Sequence, residues 1–303
     1  WQTSQGRIDE RRGRLLRLRT ANGMTGWGDA APLPEFGITE LAAQAFAEET
    51  AHLDLAAQQA GLPLHQWLSS EPPVDSLAVN ANLGSLPEAT PAMLNTASAA
   101  GFSVVKLKVG TAPVADEISQ LRQLACVLPP GLKLRLDANR TWGFADASRF
   151  IAACTDLPID GLEEPLADPE SAALAKLQAG APFPLAIDES TQLLAADFFR
   201  HPPVGRLVIK PARQGGLLAS IELALRARAS GLEVIVTSSL ESACGLLACA
   251  QLAAAIAPDA VHGLGTAEWF AADTGQPPPM AGGRLHLPAA RGLGFAPTGG
   301  IAQ

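Results

Sequence analysis

Between Val104 and Gly110 apolar and polar residues alternate. Val105, Leu107 and Val109 fall on one side of an extended segment, Lys106 and Lys108 on the other. Similar short runs recur along the chain, and they predict strands at Leu77–Leu83, Val104–Val109, Lys133–Ala138, Gly161–Glu164, Pro184–Asp188, Leu207–Lys210, Glu233–Thr237 and Ala260–Gly263. Between them the apolar period lengthens to that of a helix, at Pro113–Leu128, Ala145–Thr155, Glu170–Ala179, Ala195–Arg200, Leu217–Ser230 and Cys244–Ala257. About eight strand–helix units in succession are the signature of a (β/α)8 barrel, whose strands are parallel and covered by helices.

The first part of the chain reads differently. Arg14–Arg19 alternates Leu with Arg, Ala21-Asn22-Gly23 is a turn, and Gly26-Trp27-Gly28-Asp29 leads into Pro32-Leu33-Pro34. The Ala/Leu/Glu pattern from Thr39 to Gln59 is helical, with Thr39 at its N-cap. A break at Glu71-Pro72-Pro73 separates a small α+β domain, residues 1–75, from the barrel, residues 76–276. The Gly- and Pro-rich tail, residues 277–303, lacks a further strand–helix unit and is expected to return to the first domain.

The strands end on charges: Lys108, Asp137, Glu163, Asp188 and Lys210, with 22 to 29 residues between successive members. In a barrel that spacing is one unit each, and the C-terminal strand ends ring the site of chemistry. Asp137, Glu163 and Asp188 would repel one another without a cation. Salt bridges to Lys106, Arg135 and Lys210 are one solution. A hard divalent ion is another, and oxygen-only ligands suit Mg²⁺ or Mn²⁺ rather than zinc. The histidines, among them His262 near a strand end, fall outside this set. A lysine on either side of such an ion suits proton abstraction beside a carboxylate. Lys106 and the ion would lower the pKa of the Lys108 base.

Composition narrows the partners. A formal charge of −8 argues against nucleic acid and anionic membranes, and the small-molecule carboxylate expected as substrate follows from the lysines on either side of the ion. The arginines between Arg7 and Arg19 are mixed with Asp9 and Glu10 and read as an exposed strand pair. The apolar run Leu246–Ala257 is interrupted by Gln251 and too short to span a bilayer. Cys126, Cys154, Cys244 and Cys249 form no CxxC pair, so reduced thiols in a cytoplasmic protein are expected. The chain opens at Trp1, and a few residues are expected to precede it.

Five segments together resemble the enolase superfamily, and within it the muconate-lactonizing subgroup: Lys106-Leu107-Lys108, Leu136-Asp137-Ala138-Asn139, Leu162-Glu163-Glu164-Pro165, Ile187-Asp188-Glu189-Ser190 and Val208-Ile209-Lys210-Pro211. Asp137 to Trp142 and Ser238-Ser239-Leu240-Glu241-Ser242 are most similar to the o-succinylbenzoate synthase family of that subgroup. The resemblance implies a modified (β/α) barrel with a capping domain built from the N-terminal segment and the tail. It implies Mg²⁺, replaceable by Mn²⁺, on Asp137, Glu163 and Asp188. Lys108 would be the base and Lys210 a cation over the ring, with Lys106, Arg135 and Asn139 in support. Ser238, Ser239 and the turn from Gly263 to Gly265 would hold the succinyl end. The implied reaction is syn-dehydration of 2-succinyl-6-hydroxy-2,4-cyclohexadiene-1-carboxylate, a step of menaquinone and phylloquinone biosynthesis. Asp29 stands where that family commonly has Glu.

Rival readings keep parts of this pattern. An N-acylamino acid racemase or dipeptide epimerase shares all five charged positions, but lacks reason for the Ser238–Ser242 segment and needs an Asp-x-Asp pair after the seventh strand that is missing here. A Schiff-base aldolase or a non-catalytic binding barrel would not need three carboxylates beside two lysines.

Overall fold

The computed structural model describes residues 2–3, 6–69 and 72–298. They form two compact units. One, the sheet unit, comprises Val79–Val208 and Arg226–Val234; the other, the hairpin unit, comprises the chain to Ala78, Ile209–Leu225 and the chain from Ile235.

The sheet unit is organised by a curled seven-stranded sheet in chain order: β1 (Ala81–Ser85), β2 (Val104–Lys108), β3 (Lys133–Asp137), β4 (Ile159–Glu163), β5 (Leu185–Ile187), β6 (Arg206–Ile209) and β7 (Glu233–Val236). Pairing from β1 through β6 is parallel throughout. This is the sheet of a modified (β/α) barrel. The alternation seen in the sequence sorts the two faces. Val105, Leu107, Leu134, Leu136 and Leu162 are fully buried. The opposite parity carries Lys106 beside Arg135 and Lys108 beside Asp137, and Asp137 is in register with Glu163.

An ionic layer lies deeper in the sheet, centred on Asp160 between Arg135 and Arg206. Arg135 is 1% exposed; its Nε donates to Asp160 Oδ2 at 2.8 Å and its Nη1 to Asn80 Oδ1 at 3.2 Å. Arg206 donates to the same Asp160 oxygen at 2.7 Å and to Glu233 at 2.9 Å. Gly161 makes room for this: a Cβ there would stand 2.6 Å from the Arg206 guanidinium. Burial raises the pKa of Asp160, but the two guanidinium charges outweigh it and hold the group below its ordinary value.

The helices occupy Pro91–Ala99, Val114–Ala125, Phe144–Ala153, Ser171–Gly180 and Ala196–Arg200. The first was missed in the sequence, although Thr90 caps it by accepting from Met93 N. Buried Glu117 ties the helix Val114–Ala125 back to the end of β2, accepting from Gly110 N at 2.8 Å and Thr111 N at 2.9 Å.

Two expected strands are corrected. Leu77–Leu83 is split: Ser76–Ala78 pairs antiparallel with Arg284–His286, so the sheet strand β1 starts only at Ala81. Ala260–Gly263 is no strand: Gly263 forms an isolated bridge to Thr237, and His262 N donates to Ala78 O at 2.9 Å. The cause is His262, whose Nδ1 accepts the Val236 N–H at 3.0 Å, a bond that a strand would make with backbone. The ring's Nε2 meets Ala257 O at 3.0 Å, so His262 acts as a structural hydrogen-bonding residue.

In the hairpin unit, Arg14–Arg19 and Thr25–Ala30 pair antiparallel. The helix Glu40–Ala60 starts as expected at Thr39, whose side chain accepts from Ala42 N. Gly26 and Gly28 let the hairpin approach it: a Cβ on Gly28 would stand 1.9 Å from Ala47 O. The tail returns to this helix, with Leu293 N donating to buried Asp54 at 2.7 Å. The helix Ala243–Ile256 is buried along its whole length, and Gln251 accepts from His65 N at 2.8 Å. Among the described residues no helix is long and apolar enough to cross a membrane. Of the break expected at residues 71–73, Glu71 lies outside the described residues, as do Trp1 and the tail's last five positions.

Candidate active site

In the sheet unit the charged row forms where β2, β3 and β4 end together. Lys108, Asp137 and Glu163 occupy one register line. Lys106, one inward-facing position earlier, extends its ammonium to this line and pairs with Asp137 Oδ2 at 2.9 Å and Glu163 Oε2 at 2.5 Å. Burial works against the Lys106 charge, but the two carboxylates outweigh it and hold the ammonium above its ordinary range. Lys106 is therefore a fixed cation bound to carboxylates. Arg135 is engaged with Asp160 and Asn80.

Glu163 is 1% exposed, and burial raises its pKa; Lys106 opposes the rise, while the charges of Asp137 and Asp188 add to it. Its second oxygen, Oε1, is buried without a hydrogen-bond partner. A buried carboxylate oxygen in that state, with like charges near it, calls for a cation. The three hard oxygen donors suit a divalent ion. As they stand, no three Asp, Glu, His or Cys side chains among the described residues are gathered closely enough to hold one. The residues fit the ion in chemistry, with Lys106 now bridging two of them.

Beyond the strand ends the backbone turns into the left-handed region at Asn139 (φ 42°), Arg140 (φ 61°) and Glu164 (φ 46°). Non-glycine residues in this region cluster at functional sites. Asn139 N donates to Asp137 Oδ1 at 3.1 Å, and its side chain donates to Glu189 at 3.1 Å. Asn139 thus orients Asp137. Glu164 accepts from Asp188 N and Ser190 and was not singled out in the sequence, where the second of two adjacent glutamates reads as redundant.

The other expected residues lie in the hairpin unit. Lys210 follows β6, is buried, and begins the short helix Pro211–Gln214 as its N-cap. Thr237 N donates to Ile209 O at 3.0 Å, which sets the two chain ends after Ile209 and Thr237 side by side. Ser238 N donates to Gly263 O at 2.9 Å, and Ser238 Oγ donates to Glu241 Oε2 at 2.7 Å. Ser239 N donates to the same oxygen at 2.7 Å. The Oγ atoms of Thr237, Ser239 and Ser242 and Glu241 Oε1 are buried without hydrogen-bond partners. Gly265 follows two residues after Gly263 and has no comparable tie to Ser238. Asp29, buried, accepts from Ser242 N at 2.9 Å, and burial pushes its carboxyl up to about 6. Beside Asp29 and Ser242 is a cavity of about 260 Å³, lined also by Arg11, Arg14 and Asp273.

A curled parallel sheet whose strands end on lysines and carboxylates has the form of a barrel enzyme. The family described as "Enolase C-terminal domain-like" matches residues 90–299. The o-succinylbenzoate synthase of Pectobacterium atrosepticum is 33% identical over 282 residues, covering 86% of this chain and 84% of that protein. The muconate cycloisomerase of Pseudomonas fluorescens shares the fold, with TM-score 0.82 and 23% identity over 93% of this chain and 91% of that one. So does a dipeptide epimerase from Cytophaga hutchinsonii, solved with Mg and a dipeptide, with TM-score 0.83 and 22% identity over 95% and 89%. The chain belongs to the enolase superfamily and, within it, to the o-succinylbenzoate synthase family.

Proposed function

We propose that the chain is itself an o-succinylbenzoate synthase, a hydro-lyase that converts 2-succinyl-6-hydroxy-2,4-cyclohexadiene-1-carboxylate to 2-succinylbenzoate and water on the route to menaquinone or phylloquinone. The observation that carries this reading is the register line of Lys108, Asp137 and Glu163, in a chain one-third identical to a synthase over most of its length.

Asp137, Glu163 and Asp188 would hold Mg²⁺, or Mn²⁺ in its place. When bound, the ion supplies positive charge where charge accumulates on the substrate carboxylate. Lys108 in its amine form takes the proton alpha to that carboxylate, leaving an electron pair on the ring. The resulting ammonium returns that proton to the departing hydroxyl on the same face, so that water leaves and the ring becomes aromatic. Lys106, held cationic by Asp137 and Glu163, adds a fixed positive charge that favours the amine form of Lys108. Lys210 stabilises charge on the ring. Ser238, Ser239, Gly263 and Gly265 receive the succinyl carboxylate; the support is the pair of buried, unpartnered hydroxyls of Ser239 and Ser242 in this turn. A reducing, cytoplasmic setting belongs to the same reading and is supported by the free thiols of Cys126, Cys154, Cys244 and Cys249.

A paired assay tests the reaction. One arm follows dehydration of the hydroxycyclohexadiene carboxylate by its loss of absorbance; the other follows exchange and racemisation of N-succinyl amino acids in deuterated water. Mg²⁺-dependent dehydration with weak racemisation is the expected result. Efficient racemisation without dehydration would replace the synthase reading with the N-acylamino acid racemase or dipeptide epimerase reaction.

A further inference from the structure

Asp188 lies one residue past the end of β5, where the ladder no longer fixes its backbone. Up to that point the bonds between β4 and β5 are regular: Leu162 N donates to Pro184 O at 3.1 Å, and Glu164 N donates to Ala186 O at 2.9 Å. The next bond of a parallel ladder would run from Asp188 N to Glu164 O. It is not made. Glu164 is in the left-handed conformation at φ 46°, and its carbonyl accepts from Arg140 N at 2.8 Å instead.

The Glu164 side chain takes the place of that carbonyl. Its Oε1 accepts from Asp188 N at 2.6 Å and from Ser190 N at 2.8 Å, and its Oε2 accepts from Ser190 Oγ at 2.5 Å. Glu164 is 1% exposed and Ser190 is fully buried. Both carboxylate oxygens are thus occupied by donors from the segment Asp188–Ser190, on either side of one residue. The carboxylate thus holds the backbone at the strand-end aspartate itself and again two residues on, across Glu189. The left-handed strain at Glu164, of order 1–3 kcal/mol for such a residue, is maintained by these three bonds.

We propose that Glu164 is a positioning residue for Asp188: it replaces the missing rung of the ladder with a side-chain acceptor and so fixes the direction in which Asp188 presents its carboxylate to a divalent ion. This rests on the reading of Asp188 as an ion ligand. Partners that orient metal ligands typically change metal affinity by about 10–100-fold when removed. Gln preserves the arrangement, because its single carbonyl oxygen accepts from both N–H groups while its amide donates to Ser190 Oγ.

The experiment is calorimetric titration of the full chain with MgCl₂, for wild type, Glu164→Ala, Glu164→Gln and Ser190→Ala, with far-UV circular dichroism and unfolding in chelator on each. The expected result is Mg²⁺ affinity lowered about 10–100-fold in Glu164→Ala, within about threefold of wild type in Glu164→Gln, and intermediate in Ser190→Ala. Loss of metal-free stability in Glu164→Ala with unchanged Mg²⁺ affinity would make the role purely structural and overturn the proposal. If Glu164→Ala does not fold, wild-type affinity in Ser190→Ala overturns it equally. A wild-type chain that binds no Mg²⁺ would overturn the ion reading, and this proposal with it, and is distinguished by failing in the first titration.

Discussion

Lys106 Nζ lies 2.5 Å from Glu163 Oε2, joining residues that are 57 positions apart in the chain. The same ammonium reaches Asp137 at 2.9 Å, and both carboxylates are nearly inaccessible to solvent. One lysine therefore balances much of the negative charge that two neighbouring strands bring to one line.

Removing that lysine should be costly. Lys106→Met leaves two buried carboxylates without their cation, and breaking a buried pair in this way costs about 3–5 kcal/mol. Urea unfolding in chelator at neutral pH should show a loss of that size. Saturating Mg²⁺ should then stabilise the variant more than the wild type, since it supplies the missing charge. Equal stabilisation of both by Mg²⁺ would count against the carboxylates as ligands.

Asp29 gives a pH signature. Its folded-state pKa is raised from 3.8 to about 6, chiefly by burial, with Ser242 N–H and the Arg11 charge opposing and the Glu241 charge adding. The folded chain thus holds this proton more tightly than the unfolded chain. The stability it contributes is complete below pH 4 and is lost as pH rises through about 6, a decline on the order of 3 kcal/mol. Asp29→Asn, which can still accept from Ser242 N, should remove that decline. Denaturant unfolding between pH 4 and 7 in chelator checks it; parallel pH profiles for the two proteins would contradict it.

Arg135 anchors the ionic layer beneath the site. Arg135→Met leaves Asp160 with Arg206 alone and strips Asn80 of its donor. A loss of about 3 kcal/mol is expected from urea unfolding. Asp160 is held below its ordinary pKa, so its contribution is present above pH 4 and fades as the solution is acidified. The variant's deficit should therefore shrink at low pH.

Much of this architecture was legible in the residues themselves. The alternation around Lys106 and Lys108 located β2 and its polar face, and the helices that were expected began and ended within three residues of their bounds, while Pro91–Ala99 was missed. What escaped was decided by side chains standing in for backbone. His262 accepts the Val236 N–H, and so the eighth strand shrinks to isolated bridging at its end. Glu164 accepts the Asp188 N–H, which no hydrophobic period can reveal. Ser76–Ala78 was claimed by a strand more than 200 residues away, in a tail that carries only a short apolar signal. The spacing of strand-end charges identified the candidates, yet it could not say that Lys106 bridges two of them, because that depends on the reach of one side chain across three strands.

The most direct test of the account is the rate of dehydration by Lys108→Ala, measured with saturating Mg²⁺ alongside a calorimetric Mg²⁺ titration of the same protein. If Lys108 is the general base, turnover falls by about 10²–10⁴-fold while Mg²⁺ affinity stays within a few-fold of wild type, because the carboxylates Asp137 and Glu163 and their Lys106 remain in place. Turnover near that of the wild type, in a variant that still binds Mg²⁺, would contradict the mechanism.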